Sequence, residues 1–171
     1  ERETLVKLIA GLDRAARDMT ALVRYARPVE LHRQPHSDLK ELISRAVREV
    51  TVRPSSNVSL ACEIEPDPLF GEFDPAAMSE ALQALTDEAI NSLPSTEAGE
   101  VSLHARRAPG HKSAEAVIEW QGVKVAGRNH SVRPSENYGT IYTAQAARII
   151  EAHGGRFACD QNTMRAWLPL A

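Results

Sequence analysis

The sequence is poor in aromatic residues and has only two cysteines among its 171 residues. Phe, Trp and Tyr make up 5% of the chain, which argues against a surface that stacks nucleic-acid bases. Cys62 and Cys159 each fall in a strand-like run and lack metal-ligand spacing. We therefore expect two reduced, buried thiols of the kind found in cytosolic proteins, although their positions leave a disulfide between them open.

Long apolar runs and an excess of charge of one sign are also missing. No run approaches the length of a membrane span and no signal peptide opens the chain, so we expect a cytoplasmic protein without membrane contact in this segment. The chain starts with Glu rather than Met, which leaves an upstream membrane anchor open. A net charge of -3 gives no electrostatic indication of nucleic-acid binding. An apolar content of 43% is enough for one globular domain and an appendage.

The first 26 residues predict one long helix with an apolar seam. Its apolar residues follow one another in alternating steps of four and three, the a/d pattern of a heptad repeat: Leu5, Ile9, Leu12, Ala16, Met19, Val23 and Ala26. One helix cannot bury such a stripe alone, so we predict that residues 1–27 form a homodimer. The alternative is that this helix folds back onto its own domain. Residues 28–36 are predicted to be a polar connector with two prolines, and residues 37–171 a domain.

A second strong helix prediction covers the stretch from Asp74 to Leu93. Asp74 is a suitable N-cap and Pro75 suits the first helical position. One face of this helix is apolar: Met78, Leu82, Leu85, Ala89 and Leu93. The opposite face is acidic and amide-bearing: Glu80, Asp87, Glu88 and Asn91. That polar face is either solvated or the wall of a ligand site.

The remaining segments predict an α+β fold. Helices are expected at about 38–52 and 140–153, and strands at 58–64, 69–73, 100–106, 114–120, 156–160 and 163–168. Residues 122–139 lack sustained periodicity and predict a long loop. This order of elements favours a two-layer α/β sandwich, with one mixed sheet and helices on one face, preceded by the long N-terminal helix.

Five strings, in order along the chain, resemble segments of sensor histidine kinases. RYARPVEL resembles the end of their second dimerisation helix, and DLKELISRAVREV the first helix of their ATP-binding domain. FGEFDPAAMSEALQALTDEAINSLP resembles the segment that carries the N-box. ARIIEAHGGRF resembles the helix and strand after the last glycine-rich box, and RAWLPLA the closing strand. The resemblance covers nearly the whole chain and implies the GHKL, or Bergerat, α/β sandwich that histidine kinases share with gyrase and MutL.

The resemblance also places a nucleotide site on positions that depart from the family's pattern. The N-box helix of the family usually carries two asparagines, the second of which holds Mg²⁺; here Ala84 and Glu88 occupy these positions, with Asn91 on the same face. Glu88 is the one candidate metal ligand, a hard oxygen donor that would add negative charge beside a triphosphate. Trp120 stands where an Asp usually accepts a hydrogen bond from adenine, and of that box only Gly122 remains. A Trp offers a donor and no acceptor.

The last glycine-rich box of the family, a backbone cradle for phosphates, is also altered. It reads Tyr138-Gly139-Thr140-Ile141-Tyr142-Thr143, with one glycine out of register. The side chains of Tyr138 and Tyr142 would block the close backbone approach that glycine permits. Because the contacts to metal, adenine and phosphate are altered together, we predict a degenerate domain that does not bind ATP in the family's way. We assign it no catalytic residue, no metal site and no cofactor.

Three functions in two-component signalling stay open. The first is a pseudokinase-like, dimeric module that binds a partner kinase or a response regulator; in the family the long helix docks receiver domains, and here it carries basic residues: Arg14, Arg17, Arg24 and Arg27. The second is the catalytic fragment of an active histidine kinase that uses ATP and Mg²⁺ and lacks its H-box helix. The third is a histidine phosphotransferase with a dead kinase-like domain. That class needs a phosphorylatable histidine on a helix, which the sequence does not indicate.

Overall fold

The computed structural model describes residues 2–51, 58–93, 99–110, 112–122, 140–160 and 162–171. Within these ranges the helices are α1 (Arg2–Ala26), α2 (Leu39–Thr51), α3 (Pro75–Asn91) and α4 (Ile141–Ala152). The strands are β1 (Gln34–Asp38), β2 (Val58–Ile64), β3 (Phe70–Phe73), β4 (Gly99–Pro109), β5 (Ala114–Gln121), β6 (Arg156–Cys159) and β7 (Thr163–Pro169). Most of the predicted long loop, residues 123–139, lies outside the described residues.

A mixed sheet of five strands forms one layer of the domain. Its order is β2-β4-β5-β7-β6; β2 and β4 run parallel, and every other neighbouring pair is antiparallel. The parallel pair needs a crossover, which β3 and α3 supply. The predicted two-layer α+β sandwich is therefore confirmed.

The core lies between one face of this sheet and the helices α2, α3 and α4. Along the three central strands every second side chain is buried, the period expected of strands that have one covered face. The buried residues on the covered face are Val101, Leu103 and Ala105 on β4, Ala116, Ile118 and Trp120 on β5, and Met164, Ala166 and Leu168 on β7. Val117 on β5 is the one exception to the alternation on these strands, since it is buried as well. The alternation therefore fixes which side of the sheet the helices cover.

The central helix α3 begins and packs as predicted. The Asp74 side chain caps it, because Oδ1 accepts hydrogen bonds from the backbone N–H groups of Ala76 and Ala77, each at 3.0 Å. The predicted apolar face is fully buried: Met78, Leu82, Leu85 and Ala89. The helix ends at Asn91, two residues before the predicted end, and the half-buried Leu93 packs against the core from beyond it.

A second, two-stranded sheet stands where the end of the polar connector was predicted. β1 pairs antiparallel with β3, and Ser37 lies opposite Gly71. β1 reads QPHSD and has no apolar alternation, so its own sequence gives no strand signal. It becomes a strand because the fold brings its backbone alongside β3, where their backbone hydrogen-bonding groups can pair.

The prediction of two buried cysteines is wrong for Cys62, which is exposed. Cys62 lies on β2 and Cys159 on β6, and these strands form the two edges of the sheet. A strand at an edge has a neighbour on one side only and is therefore less covered than a central strand. Cys159 is accordingly half-buried.

The start of α3 is tied to the end of α4 through Asp74 and His153. His153 Nε2 accepts a hydrogen bond from the Asp74 backbone N–H at 2.9 Å, and its Nδ1 lies 2.7 Å from the carbonyl oxygen of Ile149. The imidazole therefore carries its proton on Nδ1 and is neutral. Asp74 Oδ2 also accepts from the backbone N–H of His32 at 2.8 Å. Two helix ends and the connector thus meet at one buried cluster.

The pKa values of both side chains reflect this environment. Burial lowers the pKa of His153, which is 2% exposed, although its hydrogen bond to Ile149 raises it. Burial alone would raise the pKa of Asp74, but hydrogen bonds from the backbone N–H groups of Ala77, His32 and Ala76 bring it below its ordinary value. The folded state therefore favours a neutral imidazole beside an ionised carboxylate.

The C-terminal part of α1 lies against the domain, while its seam does not. Ala21 is buried, and Arg148 on α4 donates to the carbonyl oxygens of Tyr25 and Arg27 while its guanidinium stacks over the Tyr25 ring at 4.8 Å. Most of the predicted seam is exposed to solvent. The side chain of Val23 is 53% exposed and that of Met19 is 68% exposed, and the values for Leu5, Ile9 and Leu12 lie between these two. No helix in the described ranges is both long and apolar enough to cross a bilayer.

Stability should fall as the pH is lowered below about 6.5, the ordinary pKa of His153. The pKa of His153 is depressed in the folded state, so its contribution is complete above that value and is lost as the pH falls through the folded-state pKa. His153→Gln keeps an acceptor for the Asp74 N–H but does not titrate. Its Tm should therefore drop less than the wild-type Tm between about pH 7 and pH 5. The exposed control His36→Gln should follow the wild type, and a wild-type slope in His153→Gln would contradict the assignment.

Candidate functional site

The end of β5 places Trp120 against the central helix. Its side chain is 0% exposed, and its Nε1–H donates to Thr86 Oγ1 at 3.1 Å. Thr86 is also fully buried, and its hydroxyl donates to the carbonyl oxygen of Leu82 at 2.7 Å. This relay gives the buried indole N–H and the buried hydroxyl their hydrogen bonds. Trp120 is therefore part of the core rather than a side chain that lines an open cleft.

Gly122 follows the same strand and has a local reason to be glycine. Its φ is +84°, and a Cβ at this position would lie 2.6 Å from the carbonyl oxygen of Glu100. Both the backbone conformation and the close approach require a residue without a side chain. The strand end thus accounts for this glycine without reference to a ligand.

Glu88 on α3 faces the N-terminus of α4. Thr140 caps α4, and its Oγ1 accepts from the Thr143 backbone N–H and donates to Glu88 Oε2, both at 3.3 Å. Burial raises the pKa of the half-buried Glu88, and the hydrogen bond from Thr140 lowers it in part. The carboxylate lies where a helix N-terminus attracts negative charge. Two of the predicted site positions, Glu88 and Thr140, are therefore brought into contact.

Ala84 and Tyr142 lie elsewhere, in a groove of about 400 Å³ between α1, α3 and α4. The Tyr142 side chain is 41% exposed, and its hydroxyl lies 3.4 Å from Asp18 Oδ1 on α1. One seam residue, Ala16, also lines the groove. Sequence reasoning missed this groove, because α1 forms one of its walls and nothing local shows that α1 folds against α3 and α4.

The other predicted positions add little to the site. Asn91 is exposed in the last turn of α3, while Tyr138 and Gly139 lie outside the described residues. In the part of the chain that the structure describes, no three His, Cys, Asp or Glu side chains come together as a metal site. Glu88 could supply one oxygen to Mg²⁺, so the remaining ligands would have to come from water or from a bound molecule.

Comparison with known proteins identifies the fold. No protein-family model and no curated protein matches this chain. Histidine kinase AdeS from Acinetobacter baumannii matches with a TM-score of 0.65 and 16% identity, over 98% of this chain and 83% of its own. Full-length ShkA in complex with AMPPNP matches with a TM-score of 0.72 and 17% identity, over 99% of this chain and 39% of its own. Mycobacterial sensor histidine kinase MprB matches with a TM-score of 0.55 and 23% identity, over 80% of this chain and 97% of its own.

These structures are similar in fold to the chain, at identities too low to transfer an activity. Because the matches to AdeS and ShkA cover nearly the whole chain, they include α1 as well as the sandwich. The chain therefore has the GHKL-type fold of histidine-kinase ATP-binding domains, preceded by a helix that those kinases also contain. This confirms the fold that the sequence resemblance implied.

The bond between Trp120 and Thr86 should contribute measurably to stability. Thr86→Val leaves the buried indole N–H without a partner and should lower the free energy of unfolding by about 1–3 kcal/mol in urea denaturation. Trp120→Phe removes the donor and some volume, and should cost a similar amount, roughly 1–3 kcal/mol. The double variant should cost less than the sum of the two.

A matched control is available on α1. The Thr20 hydroxyl also donates to the carbonyl four residues earlier, at 2.9 Å, but on an exposed surface. Thr20→Val should therefore change stability by no more than about 0.5 kcal/mol. Strictly additive costs for Thr86→Val and Trp120→Phe would show that the two side chains are not coupled.

Proposed function

We propose that this chain is a dimeric module of two-component signalling that has the histidine-kinase fold, does not bind ATP in the manner of those kinases, and acts by holding a partner kinase or a response regulator. The observation that carries the proposal is Trp120. At the position where the family presents a carboxylate to adenine, this chain has an indole that is fully buried and bonded to Thr86.

The polar groups around Trp120 leave little for an adenine base to bind. Adenine recognition in the family uses an acceptor for the exocyclic amino group, and a Trp side chain has only a donor. The Thr86 hydroxyl accepts from Trp120 and donates to Leu82, so its proton is already used. A base entering here would have to displace a buried aromatic side chain from the core, which costs several kcal/mol.

The phosphate end supports the same proposal. Glu88 carries a carboxylate on the helix where the family has a neutral amide, and it takes the hydrogen bond that Thr140 could otherwise give to a phosphate oxygen. A triphosphate beside Glu88 would meet a like charge in a partly desolvated site, where Coulomb repulsion is stronger than in water. The N-terminus of α4 is thus already matched with a negative group.

The exposed side of α1 supports a homodimer. Large apolar side chains are exposed along much of this helix: Leu5, Val6, Leu8, Ile9, Leu12, Met19, Leu22 and Val23. The residues that contact the domain, Asp18, Ala21 and Tyr25, recur at three- and four-residue steps on a different face. Folding against the domain and pairing with a second copy are therefore compatible, and an exposed apolar stripe of this size marks an interaction surface.

The remaining surface of α1 is basic and suits an acidic partner. Arg24 makes an ion pair with Glu80 at 3.1 Å, while Arg14 and Arg17 lie on the exposed helix surface. By the family resemblance, the partner is a receiver domain, whose phosphorylation pocket is acidic, and the module acts in the cytoplasm. Complementary charge would steer such an encounter and raise its rate.

Nucleotide titration tests the proposal directly. Calorimetry with Mg·ATP and Mg·ADP should show no binding tighter than about 100 µM, which corresponds to roughly -5.5 kcal/mol. Glu88→Asn restores the family's amide but not the adenine acceptor, so it should not gain binding either, provided that circular dichroism shows it folded. Wild-type binding tighter than that limit would favour the alternative function, a catalytic fragment of an active histidine kinase.

Sedimentation tests the dimer. Ile9→Asp combined with Met19→Asp places two carboxylates on the seam and should convert a dimer into a monomer, because burying unpaired charges is costly. The matched control Thr4→Asp with Ala10→Asp adds the same two charges to the helix away from the seam and should stay dimeric. If the wild type sediments as a monomer at high concentration, the seam does not mediate dimerisation.

A further inference from the structure

The groove between α1, α3 and α4 has the size and lining of a small-molecule site. Its volume of about 400 Å³ falls within the range of ligand pockets, roughly 300–1,000 Å³. Its walls are largely small and apolar, because alanines from all three helices line it: Ala16, Ala21, Ala81, Ala84 and Ala146. An exposed ion pair between Arg24 on α1 and Glu80 on α3 spans the groove.

A few polar groups stand on these apolar walls. Gln145 lines the groove, and its Oε1 atom is buried without a hydrogen-bond partner among the described residues. The Gln145 amide therefore has hydrogen-bonding capacity that the described part of the fold does not use. Arg17 lines the same groove; its Nε donates to the carbonyl oxygen of Asp13 at 3.3 Å, and within the described ranges its guanidinium forms no ion pair.

A second groove, about 460 Å³ in volume, continues from the first. The two share Arg17 and Tyr142, and the second adds Arg14 from α1 and Thr140 at the start of α4. Two arginines face one acidic residue there, Asp18, so the charge is positive beside an apolar cleft. An elongated molecule could therefore place an apolar body among the alanines and a negative group beside the arginines.

We propose that the alanine-lined groove binds a small organic anion with an apolar body, of the alkyl or aryl carboxylate class. The apolar body would be removed from water by the alanine walls, and the carboxylate would be recognised by Arg17, with Arg14 close by. A ligand in this position touches α1, α3 and α4 together. Its binding would therefore strengthen the contact between α1 and the domain, and so link a small molecule to the helix that carries the seam.

Decanoate is a suitable probe, with decyltrimethylammonium and 1-decanol as cationic and neutral counterparts of equal chain length. Backbone amide NMR titration of the intact chain should show saturable shifts at Ala81, Ala84 and Ala146 with decanoate, with a Kd below about 1 mM. Decyltrimethylammonium should bind at least about ten-fold more weakly, because its positive head group would lie beside the arginines. A ten-fold difference in Kd corresponds to about 1.4 kcal/mol of binding free energy. Equal affinity for the two ions would overturn the proposal.

Variants locate the site. Ala84→Leu fills the groove and should abolish binding, whereas Ala158→Leu, on the exposed edge strand β6, should leave it unchanged; the amide spectra show whether each variant is folded. Arg17→Gln should weaken decanoate several-fold and leave 1-decanol unaffected. Arg48→Gln is its control, because Arg48 Nε makes the same 3.3 Å contact to a carbonyl four residues earlier, on α2. Unchanged decanoate binding in Ala84→Leu, or displacement of decanoate by Mg·ATP, would assign the binding elsewhere and refute the proposal.

Discussion

The capping of α3 by Asp74 is the interaction on which the arrangement of the helices depends. The carboxylate accepts from the first turn of α3 and from the connector at His32, while the Asp74 backbone N–H donates to His153 at the end of α4. One buried residue thus sets the start of the central helix, the end of the last helix and the path of the chain that leaves α1. The relative placement of α1, α3 and α4 follows from this junction.

That placement decides what the polar side of α3 can do. The buried face of the helix is fixed against the sheet, so Ala84 and Glu88 must point towards α4 and α1. In this chain the space between α3 and the end of β5 is taken by the hydrogen-bonded pair of Trp120 and Thr86. A side-chain pair that stabilises the core therefore lies where the family resemblance expects an open nucleotide cleft. The groove beneath α1 opens on another part of α3, lined by Glu80, Ala81 and Ala84.

The two sides of α1 differ in character, and this difference is what the proposed homodimer rests on. Its domain side uses a small buried residue, Ala21, together with hydrogen bonds and an ion pair from Tyr25 and Arg24. Its other side presents apolar side chains that nothing in the described chain covers. Hydrogen bonds and an ion pair on the domain side hold α1 in a defined position, although an exposed ion pair contributes little energy. Burial of the apolar side would supply the main free energy of the proposed association.

Local patterns in the sequence determined most of the elements of this protein. Caps, proline positions and apolar periodicity depend on residues a few positions apart, so the helix starting at Asp74, its buried face and the exposed seam of α1 could be predicted. The candidate site on α3, through Glu88, was located by the resemblance to histidine kinases, because periodicity alone left the polar face either solvated or the wall of a ligand site. Other features depend on residues far apart in the chain: the pairing of β1 with β3, the exposure of Cys62 on an edge strand, the bond from Trp120 to Thr86 and the alanine-lined groove. Only the tertiary structure decides these, because each needs two or more elements whose separation in space is set by the packing of the whole domain.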